Sequence, residues 1–270
     1  TAVNDLNRQP VATWDNTVTA LNNATEQLWR AWTVVGHLNS VINSPELREA
    51  KTACLPQITE FSTWLGQNES LYQRYQQLAQ SAEFSSYNIE QKRAIELALR
   101  DFRLGGVELQ GEARARYGEL SEQQAVASQR FSENVLDSMD QWALYITDES
   151  QLEGIPADTK AAFAQAAQAD DKAGWKITLK MPSYLPVMQY ATNRDLRYTV
   201  YKAYATIASD QAQKPDLDNS EVIEQLLRLR AEESALLGFN TFAELRLETR
   251  MADTADQVID FLRDLAERAL

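Results

Sequence analysis

The sequence predicts a mainly α-helical fold, a multi-helix body carrying one small antiparallel strand pair at about 142–147 and 175–181. Three observations carry that expectation. Only 9 Gly and 7 Pro occur among 270 residues, too few for the turns of an all-β fold or for flexible linkers. Apolar residues recur at helical spacing along most of the chain, and strict alternation is confined to two short stretches. Hydrophobic residues make up 44 %, with 6 Trp, 10 Tyr and 8 Phe, which is enough apolar surface to offset the entropy of ordering.

The elements follow in order. Leu21, Leu28, Trp32, Val35 and Ile42 fall on one face of a helix from about Asp15 to Ser44. Ser44-Pro45 is a stop and restart, with Ser44 as N-cap and Pro45 at the first position of the next helix. Phe61, Leu65, Leu71, Tyr75 and Leu78 continue the pattern, and Ile95, Leu99 and Phe102 form a stripe that ends at Gly105-Gly106, a C-terminal cap. From Arg114 to Asp140 the apolar positions thin to Tyr117, Leu120, Phe131, Val135 and Leu136, a partly solvated helix. Then the period changes. Trp142 to Thr147 alternates, and in Trp175 to Met181 the residues Trp175, Ile177, Leu179 and Met181 share one face. Between them Ala157 to Ala169 reads as helix. Pro182 and Pro186 are expected to break regular structure before Tyr190, and helix returns over 195–208, 220–237 and 254–270. The length is about 1.8 times the ~150-residue domain prior, so one large or two modest domains are admissible. The change of pattern divides the chain into an N-terminal helical region, 1–141, and a strand pair plus helices, 142–270.

Charge and cysteine content bound the function. Net charge is −13 and no basic run stands out, so nucleic acid and anionic membrane surfaces are poor partners. No stretch approaches the ~20 apolar residues of a membrane span. A single cysteine, Cys54, forms no internal disulfide, and the cytoplasm is the expected compartment. The first residue is not Met, and the apolar face of the last helix runs to the final residue, so the sequence reads as part of a longer product.

The chemistry is mostly negative. A zinc enzyme of the H-E-x-x-H kind needs two histidines one turn apart, and a Ser-His or Cys-His pair needs a histidine near its nucleophile; the chain has one, His37, expected to be a partly packed helix residue beside Leu38. Cys54, between Ala53 and Leu55-Pro56, is expected to be a buried, inert thiol. Asp216-Leu217-Asp218-Asn219 lacks the Gly and distal Glu of a calcium loop and suits a solvated loop or N-cap. Glu232-Glu233 and Asp170-Asp171 are adjacent, so their carboxylates point apart. The stretch from Met181 to Tyr190, with Asn193, Arg194, Asp195 and Arg197, is the most unusual composition: a peptide groove at a sheet edge is one reading, a packed joint between strand and helix the leading one.

Five segments, in order along the chain, carry a resemblance: RAWTVVGHLNSVINSPELREA at 30–50, IELALRDFRLGGVEL at 95–109, RFSENVLD at 130–137, WKITLKMPSYLPVMQYATNRDLR at 175–197 and LLGFNTFAELRLETRMA at 236–252. Together they resemble the N-terminal part of the thimet oligopeptidase family of zinc metallopeptidases. The resemblance implies a mostly helical body split by a deep channel, with the H-E-x-x-H helix and a third, Glu, ligand in a C-terminal half before which this chain stops. Zinc would belong to the full-length parent, with none bound by this chain. No catalytic or metal-binding residue carries over, and the substrate-binding residues stay unassigned. The implied partners are short peptides, admitted by a channel of which these helices form one wall, and the missing C-terminal catalytic half. An apolar face made to meet that half predicts self-association through the exposed seam, as a homodimer or a swapped terminal helix. Arg246 and Arg250 depart from the family pattern, where a small polar residue and a Lys are expected. The competing class is a stand-alone helical interaction module. An enzyme using carboxylates alone is weaker, because no carboxylate pair is placed by spacing on a shared face.

Overall fold

The structure, a computed structural model, describes residues 2–212 and 215–269. Its elements in chain order are α1 (Ala2–Asn7), α2 (Ala20–Val41), α3 (Pro45–Gly66), α4 (Glu69–Gln80), α5 (Ile89–Leu104), α6 (Gly111–Gln141), β1 (Ala143–Ile146), α7 (Ala157–Gln168), β2 (Trp175–Thr178), α8 (Met181–Tyr190), α9 (Arg194–Ala205), α10 (Ser220–Leu236), α11 (Phe242–Leu247) and α12 (Ala255–Ala269). The fold is mainly α with one small antiparallel β pair, as the periodicity requires. Residues up to Val126 together with those from Leu227 onward form one compact unit, and Ala127–Leu226 form a second.

In the first unit the core lies between α4 and α5. Leu71 and Leu78 on α4 and Ile95 on α5 are fully buried, and the Tyr75 ring sits 5.6 Å from that of Phe102. Beside them Arg74 is buried, with no carboxylate partner among the described residues. Its guanidinium donates to the Gln9 carbonyl at 2.8 Å, to Asn16 Oδ1 at 2.7 Å and to Thr17 Oγ1 at 3.2 Å, tying α4 to the π-helical turn Asp15–Thr19 that leads into α2. Burial pulls its pKa below the usual arginine value.

Ser44 caps α3 as expected, accepting from the Leu47 N–H at 3.2 Å, with Pro45 at the start of the helix. The stripe on α2 is less deeply packed than its spacing suggests. Leu21, Trp32 and Val35 are half-buried, whereas Leu28 is exposed and Ile42 is 65 % exposed. α2 packs on α3, and α3 has no buried residue, so the hairpin shares one thin seam. Asn88 and Gln91 form a reciprocal capping box at the start of α5, and Gly105 and Gly106 end it.

The second unit is built on the β pair. Ala143 opposes Thr178, Leu144 Ile177, Tyr145 Lys176 and Ile146 Trp175. Both strands are shorter than the alternation predicts; β2 ends because Ser183 Oγ takes the Thr178 N–H at 2.9 Å and the Lys180 carbonyl accepts from Ser183 and Tyr184, turning the chain into helix. Leu179 is buried just past the strand, but Met181, expected on the same face, starts α8 and is 46 % exposed. The prolines therefore do not break structure here. Pro182 lies in the first turn, where its missing N–H has no helical partner to lose, and Pro186 is carried inside the helix by the packing of its neighbour Val187, which is fully buried. Tyr184 stacks on Tyr204 of α9 with ring centroids 4.2 Å apart. Gly174 has φ +90°, and a Cβ there would stand 2.1 Å from the Ile146 carbonyl oxygen; the strand entry accepts only glycine.

α11 is a short helix that the apolar period does not reveal. Its signal was Thr241-x-x-Glu244: Thr241 Oγ1 accepts from the Glu244 N–H at 3.2 Å, and Glu244 accepts in turn from Asn240. At α12 Thr254 accepts from Gln257, whose side chain reaches the Asp253 N–H rather than that of Thr254. No described residue of α12 is buried, and Ile259, Phe261, Leu262 and Leu265 are all exposed, Phe261 by 61 %.

Candidate functional site

His37 lies on α2 and Cys54 on α3. Both are exposed, which corrects the expectation of a partly packed imidazole and a buried thiol. The apolar neighbours of Cys54 in sequence are misleading because α3 packs too lightly to bury any of its residues. The adjacent acids point to separate partners. Glu232 holds Arg116 through two bonds, 2.6 and 2.8 Å, while Glu233 accepts from Gln124. Asp218 bonds the first residue of α10, but Asn219, in the loop read as solvated, is buried between Asn134 and the Phe131 carbonyl. Among the described residues no group of three or more His, Cys, Asp or Glu could hold a metal ion.

Asp170 belongs to a clasp over the β pair. It accepts from the Tyr145 hydroxyl at 2.5 Å and pairs with Lys176 at 2.5 Å, and Lys172 stands 3.7 Å from the centre of the Tyr145 ring. The hydrogen bond from Lys176, and then that from Tyr145, hold the Asp170 carboxyl below the usual carboxylate range, and the same pair raises Lys176. A carboxylate with a depressed pKa contributes stability above its unfolded value, near 3.9, and loses it as pH falls through the folded value. Asp170→Asn is therefore expected to be less stable than the parent at neutral pH, and the gap is expected to close as pH falls through the folded value of Asp170. Urea midpoints of the two proteins across that range check this, and a constant gap at all pH values would contradict it.

A cavity of the second unit, about 370 Å³, opens beside the β pair. Its apolar walls are Trp142, Leu144, Leu179, Ala203 and Ile207; Ser138 and Gln141 from the end of α6, and Tyr198, Thr199 and Lys202 from α9, supply the polar part. Ser138 Oγ is buried with no hydrogen-bond partner. Lys202 is exposed, and no acid lies among the described lining residues.

The segment that composition singled out is not this cavity. Arg197 donates to the Ala191 and Thr192 carbonyls and closes the end of α8, and Tyr184 stacks on Tyr204, so one side of the Met181–Tyr190 segment packs as a joint while Met181, Leu185 and Tyr190 stay exposed. Sequence reasoning missed Ser138, Tyr198 and Lys202. Their only local signal is the i, i+4 spacing of Tyr198 and Lys202 on one helix face.

Comparison with known proteins places this architecture. The model of the neurolysin/thimet oligopeptidase N-terminal domain matches residues 1–114, and that of peptidase family M3 matches residues 187–270. The second match begins inside the stretch that the resemblance assigned to the N-terminal part. The chain is similar to oligopeptidase A of Haemophilus influenzae, 49 % identical over 263 residues that cover 97 % of this chain and 39 % of that protein. Oligopeptidase A of Escherichia coli is 45 % identical over 258 residues, covering 95 % of this chain and 38 % of that protein. Saccharolysin of Saccharomyces cerevisiae is 26 % identical over 238 residues, 86 % of this chain and 32 % of that protein. The chain thus spans less than two-fifths of the length of these relatives. The chain matches the two models of this peptidase family at its two ends, 1–114 and 187–270, and along nearly its whole length, strand pair included, it is similar to the N-terminal part of oligopeptidase A.

Proposed function

We propose that this chain is the channel-wall portion of an oligopeptidase A-like zinc metallopeptidase that hydrolyses short peptides in the cytoplasm, and that it is inactive alone. The observation that carries the reading is the collinear match of both family models along one chain whose relatives are peptidases by name. The absence of any helix long and apolar enough to cross a membrane, among the described residues, is compatible with it.

The residues present do not fit a zinc site. One exposed imidazole on α2, with no group of three or more His, Cys, Asp or Glu among the described residues that could hold a metal ion, offers no donor set for zinc. In this reading the metal donors lie outside the sequence, and the helical region 1–141 and the strand-bearing region 142–270 contribute shape: they limit what reaches the metal to short peptides. The exposed apolar face of α12 is the seam that would meet the missing catalytic half, or a second copy in its absence.

The purified chain is expected to bind no stoichiometric zinc and to leave a quenched peptide intact. Metal analysis and a fluorescence assay on one preparation check this, and one tightly held zinc per chain with metal-dependent turnover would end the proposal. The exposure of α12 and the lack of a buried residue in α3 also suit a stand-alone helical interaction module. The intact mass of the product in its own cell separates the two, since only the peptidase reading requires a longer polypeptide.

A further inference from the structure

We infer that the cavity between the end of α6, the β pair and α9 binds a small apolar carboxylate, a single aromatic or branched aliphatic body carrying one negative head. Its volume, about 370 Å³, lies at the lower end of the range for small-ligand pockets and suits one side-chain-sized body with a compact polar group. The walls given by Trp142, Leu144, Leu179 and Ile207 favour an aromatic or branched body over a polar one. One further observation on the same surface points to a ligand. Lys202 is the one charged lining residue, and no carboxylate pairs with it among the described residues.

The charge of the rest of the molecule sharpens the argument. In a chain of net charge −13, a cavity whose described lining holds a lysine and no acid is a local reversal of sign, and it selects for an anion. The ammonium of Lys202 takes the carboxylate, and the indole of Trp142 and the side chain of Leu179 take the body. None of this depends on the peptidase reading. A free acid and the C-terminal residue of a peptide present the same chemistry.

The test is calorimetric titration of the intact chain with N-acetyl-L-phenylalanine, with its neutral amide, and with the tripeptide Gly-Gly-Phe. The acid is expected to bind saturably at one site, and the amide about tenfold more weakly, a factor corresponding to one lost charge-assisted bond. Lys202→Gln, at an exposed position, is expected to abolish the preference for the acid and to leave the helical circular dichroism unchanged. Ile207→Trp fills the cavity and is expected to abolish binding of both. Binding of the tripeptide at least as tight as that of the free acid assigns the site to peptide C-termini, and its failure beside a binding acid assigns it to free carboxylates. No saturable binding, equal binding of acid and amide, or acid binding that survives both substitutions overturns the inference.

Discussion

Replacing Gly174 by alanine is expected to destabilise the protein by about 2–4 kcal/mol, among the larger effects available to a single methyl group. Two causes add. At φ +90° an L residue is strained, and the new Cβ would stand 2.1 Å from the Ile146 carbonyl oxygen. That oxygen is backbone of β1, opposite Trp175 in the pairing, so it cannot retreat without opening the sheet that Ile177 and Leu179 bury. Gly36 on α2 is the control: a Cβ there meets nothing within 4 Å, and Gly36→Ala is expected to be neutral or stabilising by up to about 1 kcal/mol. Equilibrium urea unfolding of both variants checks the contrast. Equal midpoints would mean that the strand entry tolerates a side chain and that the close approach is not what fixes it.

Arg74→Ala is expected to cost about 3 kcal/mol, for a different reason. The guanidinium is desolvated and has no carboxylate partner among the described residues, so its charge is a cost to the folded state, but it is also the donor that satisfies the Gln9 carbonyl, Asn16 Oδ1 and Thr17 Oγ1. Truncation removes the donor, leaves those acceptors in a partly dry site, and opens space beside Tyr75 and Leu78. Arg74→Met separates the contributions: it refills volume and drops the charge, and is expected to recover roughly half of the loss. Arg74→Lys keeps the charge but cannot span three acceptors, and is expected to fall between the two. Thermal or urea unfolding ranks the three variants. If methionine equalled or exceeded the parent in stability, the desolvation cost would outweigh the hydrogen bonds.

Much of the architecture is legible in the residues because local rules and tertiary packing agree there. Ser44-Pro45, Asn88 with Gln91, and Gly105-Gly106 set helix ends by hydrogen bonds that involve only their own neighbours, so no knowledge of the rest of the chain is needed. The strand pair is legible for the same reason: a period of two has few other uses. The failures lie where a distant partner decides. Pro186 breaks a helix in isolation, yet the burial of Val187 and the stacking of Tyr184 on Tyr204 hold α8 together. Cys54 has apolar sequence neighbours but is exposed on a helix with no buried residue. The cavity is the least legible feature. Ser138 and Trp142 stand at the end of α6 and Lys202 on α9, and only the fold brings the two stretches to one surface. The family, by contrast, shows in ordered segments rather than in any reacting group, so its resemblance speaks to ancestry and leaves the chemistry of these residues silent.

The shallow seam between α2 and α3 has a consequence for how this protein changes over generations. Substitutions at positions that pack little alter stability by about 0.5 kcal/mol or less, whereas those at Leu71 or Ile95 meet the close packing of the core. Selection for folding therefore presses hard on α4 and α5 and only lightly on the outer face of α3, where variation can accumulate without penalty. Any composition retained there over long divergence would be kept by what that face meets, because folding does not require it.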